Sequence, residues 1–219
     1  MRSLLLLGLI AVLAGGGTPS TTAGSRALPW LTNLKDVTAV TVGDPLITMA
    51  MDAEVDPSCD ETTPVGLALV ANVAPAAGPE TILASYAHGV MVYGHEGELI
   101  ASTPGYPCAG SADEIEVLAT GTAFGIPTIA IAVTTGGRRE QMTWLGLFRI
   151  GQRGRLEPVF AGAVELREDG IVRRGSVTIL PGGLLVRDPL GGVGFWVFDD
   201  TAGVYLPRGG FAGTEIPHS

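Results

Sequence analysis

Three stretches of this chain share one form, and that form calls for β-strands. "VMVYGHEGELI" (Val90–Ile100), "LGLFRIGQRGRLEPV" (Leu145–Val159) and "FWVFDDTAGVYL" (Phe195–Leu206) each open with an alternating apolar run that ends in an aromatic: Tyr93, Phe148 or Phe198. A polar turn follows, with Gly97, Gly154 or Gly203, and an apolar residue resumes two positions later, at Leu99, Leu156 or Tyr205. The aromatics are 55 and 50 residues apart. Ahead of each stretch lies another pair of short apolar runs: "GLALVANV" with "TILASYA", "IEVLATGTA" with "TIAIAVTT", and "SVTILPG" with "LLVRD". Each unit therefore predicts four strands in about 50 residues, the period of a propeller blade.

From Val37 onward no segment has the 3.6-residue periodicity of an amphipathic helix. Apolar residues come instead in short Val-, Ile- and Leu-rich runs cut by Gly or Pro. The 32 glycines and 15 prolines suit many short strands joined by tight turns. The expected fold class is all-β, a propeller-like array of about three to four four-stranded units, with a β-sandwich as the alternative. Three units span residues 65 to 208, and a partial strand set, "AVTVGDPLITMAM", precedes them. A closed propeller has four to eight blades. The N-terminal strands would supply a fourth, or the ring would close through another copy, or the sheets would pack as a sandwich.

The chain begins with Arg2 and an apolar run, Leu4–Ala14, followed by small residues. That run is far short of the roughly 20 residues a spanning helix needs, and it reads as a secretory signal peptide. "LAGG" (Leu13–Gly16) resembles the bacterial lipoprotein box, but Gly16 stands where the acylated Cys belongs, so no membrane anchor is expected. The expected organisation is a signal peptide at 1–23, a linker at 24–36 and a single all-β repeat domain at 37–219, secreted or periplasmic after cleavage. Trp30, in the linker, is expected to dock on the body. The net charge of −9, with no Lys/Arg run, excludes a phosphate-tracking surface, so nucleic acid is not an expected partner.

Two of the three histidines, His88 and His95, flank the strand Val90–Gly94. A strand rises about 3.3 Å per residue, so the two imidazoles stand on the order of 20 Å apart and share no metal. His95-Glu96 reads as turn chemistry beside Gly97. The two cysteines, Cys59 and Cys108, are an even count in an oxidising compartment, which favours one disulfide over two separate thiols. "TTGGRREQMT" (Thr134–Thr143) reads as a hairpin tip longer than its equivalents in the other units. Its Arg138 and Arg139 are candidates for partner binding.

The units resemble the FG-GAP or VCBS-type repeats of secreted β-propellers. That family binds calcium in a D-x-D-x-D-G-x-x-D loop, where alternating carboxylates converge on one ion. "DAEVDPSCD" places Asp52, Glu54, Asp56 and Asp60 at positions one, three, five and nine, and Pro57 stands where the family has its glycine. The resemblance implies a secreted recognition or scaffold module, mostly without the family's calcium; these four residues are either the ligands of one calcium, the one possible cofactor, or an acidic solvated loop beside Cys59. In the later loops, "GTAFGIPTIAIAV" carries Thr122 and Thr128 where the family has acids, and "NVAPAAGPETILAS" keeps Asn72 and Glu80.

No HExxH, GxSxG or phosphate-loop pattern occurs. Acids such as Glu165, Glu168, Asp169, Asp199 and Asp200 lack any sequence pairing into a glycosidase-like dyad. The expected function is a non-catalytic binding or scaffold module for an extracellular protein or glycan. An extracellular hydrolase acting on a polymer is the alternative, and its mark would be two carboxylates in one pocket.

Overall fold

A computed structural model describes residues 28–41, 47–48, 65–74, 78–85, 89–103, 114–137, 139–151 and 155–208 of the 219-residue chain. Its strands, in chain order, are β1 (Leu31–Thr32), β2 (Lys35–Thr41), β3 (Ile47–Thr48), β4 (Val65–Ala71), β5 (Glu80–Ser85), β6 (Gly89–Tyr93), β7 (Leu99–Ser102), β8 (Glu114–Ala123), β9 (Ile126–Gly136), β10 (Glu140–Ile150), β11 (Leu156–Glu168), β12 (Ile171–Arg174), β13 (Ser176–Leu180), β14 (Gly183–Arg187), β15 (Val193–Asp199) and β16 (Val204–Pro207). The described residues contain no helix, and so none long and apolar enough to cross a membrane. The protein is all-β.

The strands form three sheets, ordered β3-β4-β5-β6-β7, β12-β11-β10-β9-β8-β2 and β1-β13-β14-β15-β16. Within each sheet four consecutive strands pair antiparallel as a meander: β4 to β7, β8 to β11 and β13 to β16. These are the strands that the sequence groups into its three units. The N-terminal strands assemble no fourth sheet among the described residues. Each adds to an existing one instead: β1 lies parallel to β13, β2 antiparallel to β8, and β3 antiparallel to β4.

The six-stranded sheet is covered on both faces. Along β9, Ile129 and Ile131 pack into a core with Leu67, Leu69, Ile82, Val90 and Val92 of the β3–β7 sheet. Ala130 and Ala132, one residue out of phase, enter a second core with Val177, Ile179, Leu184, Val186 and Trp196 of the sheet that holds β13 to β16. Side chains alternate across a strand, so one Ile/Ala run serves two cores, large residues to one side and small to the other. A bulge between Ile115 and Val117 changes the phase of β8, so that Ile115 and Leu118 face the first core and Val117 and Ala119 the second.

The segment read as a linker, 24–36, carries β1 in its second half. Trp30 is buried there against the second core, as expected, and its carbonyl accepts the amide of Val177 at 2.6 Å. Its indole Nε1 donates to Glu165 Oε2 at 3.4 Å. Glu165 is itself fully buried and also accepts Arg174 Nε at 2.9 Å and Arg167 Nε at 2.7 Å. Burial would raise this carboxyl's pKa. The two guanidinium hydrogen bonds, the Arg167 charge and the indole N–H outweigh burial and hold it below the usual glutamate value. A buried carboxylate so fully engaged is a clamp between the entering segment and the β11–β12 hairpin.

Candidate functional site

Where the second core reaches the β8–β9 turn it opens into a cavity of about 210 Å³. Phe124 and Ile126 of the β8–β9 hairpin, Leu147 and Arg149 of β10, Phe198 of β15 and Tyr205 of β16 line it. Two sheets thus contribute to one pocket. Tyr205 joins the walls: its ring lies 5.6 Å from that of Phe124 and 5.2 Å from that of Phe198. The Arg149 guanidinium sits over the Phe198 ring, 5.0 Å from its centroid, and donates through Nε to Glu157 Oε2 at 3.2 Å.

The Phe124 backbone is the unusual element. Ala123 pairs with Ile126, so Phe124-Gly125 is a two-residue hairpin turn, with φ at +55° and +79°. Such a turn needs positive φ at both central residues, which is why Asn-Gly and Asp-Gly predominate in it. The β11–β12 hairpin obeys that preference, with Asp169-Gly170 at +47° and +82° between Glu168 and Ile171. Four non-glycine residues have positive φ among those described: Asn33, Asp36, Asp169 and Phe124. Three are the short polar types that tolerate it. Phe124 is not, and a residue held so is strained by about 1–3 kcal/mol. Its side chain is 40% exposed, so deep burial does not enforce this geometry.

The electrostatics of the cavity are one-sided. Thr128, Arg149 and Tyr205 are the lining residues with polar side-chain groups, and none of the lining residues is an acid. Thr128 Oγ1 is occupied, donating to the Ile126 carbonyl at 3.0 Å. The Tyr205 hydroxyl makes no hydrogen bond among the described residues, although the residue is only 8% exposed. Burial pushes its pKa up to about 12, against the opposing pull of the Arg149 charge, so the hydroxyl stays a proton donor across the physiological range.

No family model, curated protein or solved structure matches this chain. The site therefore rests on its own geometry.

The candidates read from the sequence fall elsewhere. Asp52, Glu54, Asp56, Asp60, Cys59, Cys108, His88 and Arg138 lie outside the described residues. Among the described residues no three His, Cys, Asp or Glu side chains come together around a point where a metal could sit. His95 and Glu96 occupy an exposed turn, 3.8 Å apart. Arg139 lies at the β9–β10 tip, beside an open groove with Thr135, Glu140, Met142 and Trp144. β9 and β10, of 11 residues each, are longer than the 4- to 7-residue strands β4 to β7. Neither the groove nor the cavity is lined by two carboxylates.

One reading needs correction. Thr122 and Thr128 do not border a ligand loop. They lie within β8 and β9, where Thr122 pairs with Pro127 and Gly121 with Thr128. The glycines that suggested a loop do other work. Gly121 is a strand position where an added Cβ would come within 2.6 Å of the Lys35 carbonyl, and Gly125 completes the two-residue turn. Glu80, from the other decayed loop, is buried and accepts the Val73 amide at 2.8 Å.

Proposed function

We propose that this protein is an exported, non-catalytic binding module that takes one ring-sized apolar group into the cavity between its second and third sheets. The observation that carries this reading is Phe124. A strained backbone with an aromatic side chain at the mouth of a cavity is a local conflict, and such conflicts concentrate where a protein works. Size agrees: an apolar cavity of about 150 Å³ binds benzene, so 210 Å³ suits one phenyl or indole group. A glycan fits poorly, because sugars need paired donors and acceptors and this lining offers almost no side-chain acceptor.

The leader Leu4–Ala14 supports export. Three sheets, each built on an antiparallel four-strand meander and the middle one covered on both faces, support the propeller-like reading. A sandwich, which needs only two facing sheets, is the alternative.

The test is a titration with indole followed by amide chemical shifts. Saturable shifts at Phe124, Gly125, Arg149 and Tyr205, lost in Phe124→Gly, are expected. Absence of saturation, or shifts confined to another face, would refute the reading.

A further inference from the structure

We infer that the ligand of this cavity is an aromatic ring bearing a carboxylate, with the ring held by Phe124, Phe198 and Tyr205 and the carboxylate by Arg149 and the Tyr205 hydroxyl. The inference rests on the proposed binding role and adds the chemical class of the ligand.

Two observations carry it. First, the unused polar groups at the cavity are both donors. Tyr205 is more than nine-tenths buried, and its hydroxyl makes no hydrogen bond among the described residues. The hydroxyl oxygen is not itself fully buried, so an acceptor bound in the cavity can reach it. Arg149 uses Nε for Glu157, and its two terminal nitrogens make no hydrogen bond among the described residues. An added Cβ on Gly203 would stand 3.1 Å from Arg149 Nη2, so the side chain reaches from the central sheet to the β15–β16 turn and spans the two walls. Its terminal nitrogens present the forked edge that pairs with a carboxylate.

Second, the lining contains no acid to compete for those donors. Glu157 meets Arg149 at Nε from outside the lining, and its side chain is 40% exposed. It offsets part of the charge without blocking the fork. An ammonium on the ring would be repelled by the Arg149 cation, and a ring without an acceptor would leave both donors to solvent. Only an acceptor satisfies them.

The chemistry has two sources: a free arylalkanoate, or the C-terminal residue of a peptide. The experiment measures dissociation constants for indole, indole-3-acetate and tryptamine, and for the peptide Gly-Gly-Gly-Trp as its free acid and its amide. Indole-3-acetate should bind at least about tenfold more tightly than indole, and tryptamine more weakly than indole. Arg149→Met should erase the preference for indole-3-acetate over indole. Glu157→Gln should strengthen carboxylate binding, and Tyr205→Phe should weaken it without changing the fold. If the peptide acid binds more tightly than indole-3-acetate, and its amide does not, the ligand is a chain terminus. If indole-3-acetate is tighter, the ligand is the free acid. Equal binding of indole, indole-3-acetate and tryptamine would overturn this inference and leave the binding role standing. No binding by any of the five would overturn both.

Discussion

The ring of Phe124 lies 5.6 Å from that of Tyr205, tilted by 37°, while the Phe124 backbone holds φ at +55°. The two facts oppose each other energetically. An aromatic pair contributes about 0.5–1.5 kcal/mol beyond its buried area. The left-handed backbone of a non-glycine residue costs about 1–3 kcal/mol.

Replacing Phe124 with Asn, the residue this turn favours, should therefore leave stability unchanged or raise it by up to roughly 1–2 kcal/mol. The same variant should bind indole at least tenfold more weakly than the native chain. Urea midpoints and ligand titrations on the two proteins check both halves. A loss of more than about 1 kcal/mol in Phe124→Asn would show that the ring serves packing rather than binding.

The strands were legible because alternation is a local signal. β6, Gly89–Tyr93, has Val90 and Val92 buried with Met91 and Tyr93 less so, and the sequence shows that period directly. The Ile/Ala alternation of β9 was equally visible. That both of its faces are covered was not, because the covering sheets come from residues far off along the chain. The cavity was illegible for the same reason. Phe124, Arg149 and Tyr205 come from three separate strand ends, and each passes locally for an ordinary core or turn residue. The available signal was "AFGI" (Ala123–Ile126), a two-residue turn with a phenylalanine where Asn or Asp belongs.

Glu165 should make the protein acid-sensitive. Its folded-state pKa lies below the unfolded value, so protonation favours unfolding. Its contribution is complete at neutral pH, declines as pH falls below the unfolded value of about 4.3, and disappears once pH passes below the folded-state value. Glu165→Gln should lose roughly 1–3 kcal/mol at pH 7, the worth of hydrogen bonds to charged partners. Arg167 and Arg174 are themselves partly exposed, which keeps the loss below that of stranding a buried charge. Urea midpoints between pH 7 and pH 3 should show the gap between native and variant narrowing as pH falls. A constant gap would contradict the assignment.

Tyr205 should act at the other end of the scale. An unfolded tyrosine ionises near pH 10, and this one is held neutral up to about 12. Its contribution to stability is complete below the unfolded value and is lost as pH rises from there through the folded one. Absorbance titration of the phenolates should show one of the four tyrosines ionising last. Tyr205→Phe should remove that step and flatten the alkaline fall in stability between about pH 10 and 12.

Asp188 organises the β14–β15 connection. Its Oδ1 accepts the amides of Leu190 and Gly192, each at 2.8 Å, while the buried Oδ2 has no partner among the described residues. Asp188→Ala should cost about 1–3 kcal/mol by leaving two amides without their acceptor. Asp188→Asn keeps the accepting oxygen and should cost less than half as much. Thermal unfolding of the two variants separates hydrogen bonding from charge, and equal losses would show that the charge matters instead.

The six-stranded sheet divides the apolar interior into two compartments that share its backbone and few of its side chains. Ile82 belongs to one and Val177 to the other, both fully buried. A hole opened in one compartment has no neighbour in the other that could relax into it. Ile82→Ala and Val177→Ala should then sum, with a coupling energy no larger than about 0.5 kcal/mol, the usual bound for distant sites. Variation accumulating on one side of this partition would leave the other side's tolerance undiminished, so the half of the molecule that carries the cavity can change while the other half keeps the chain folded.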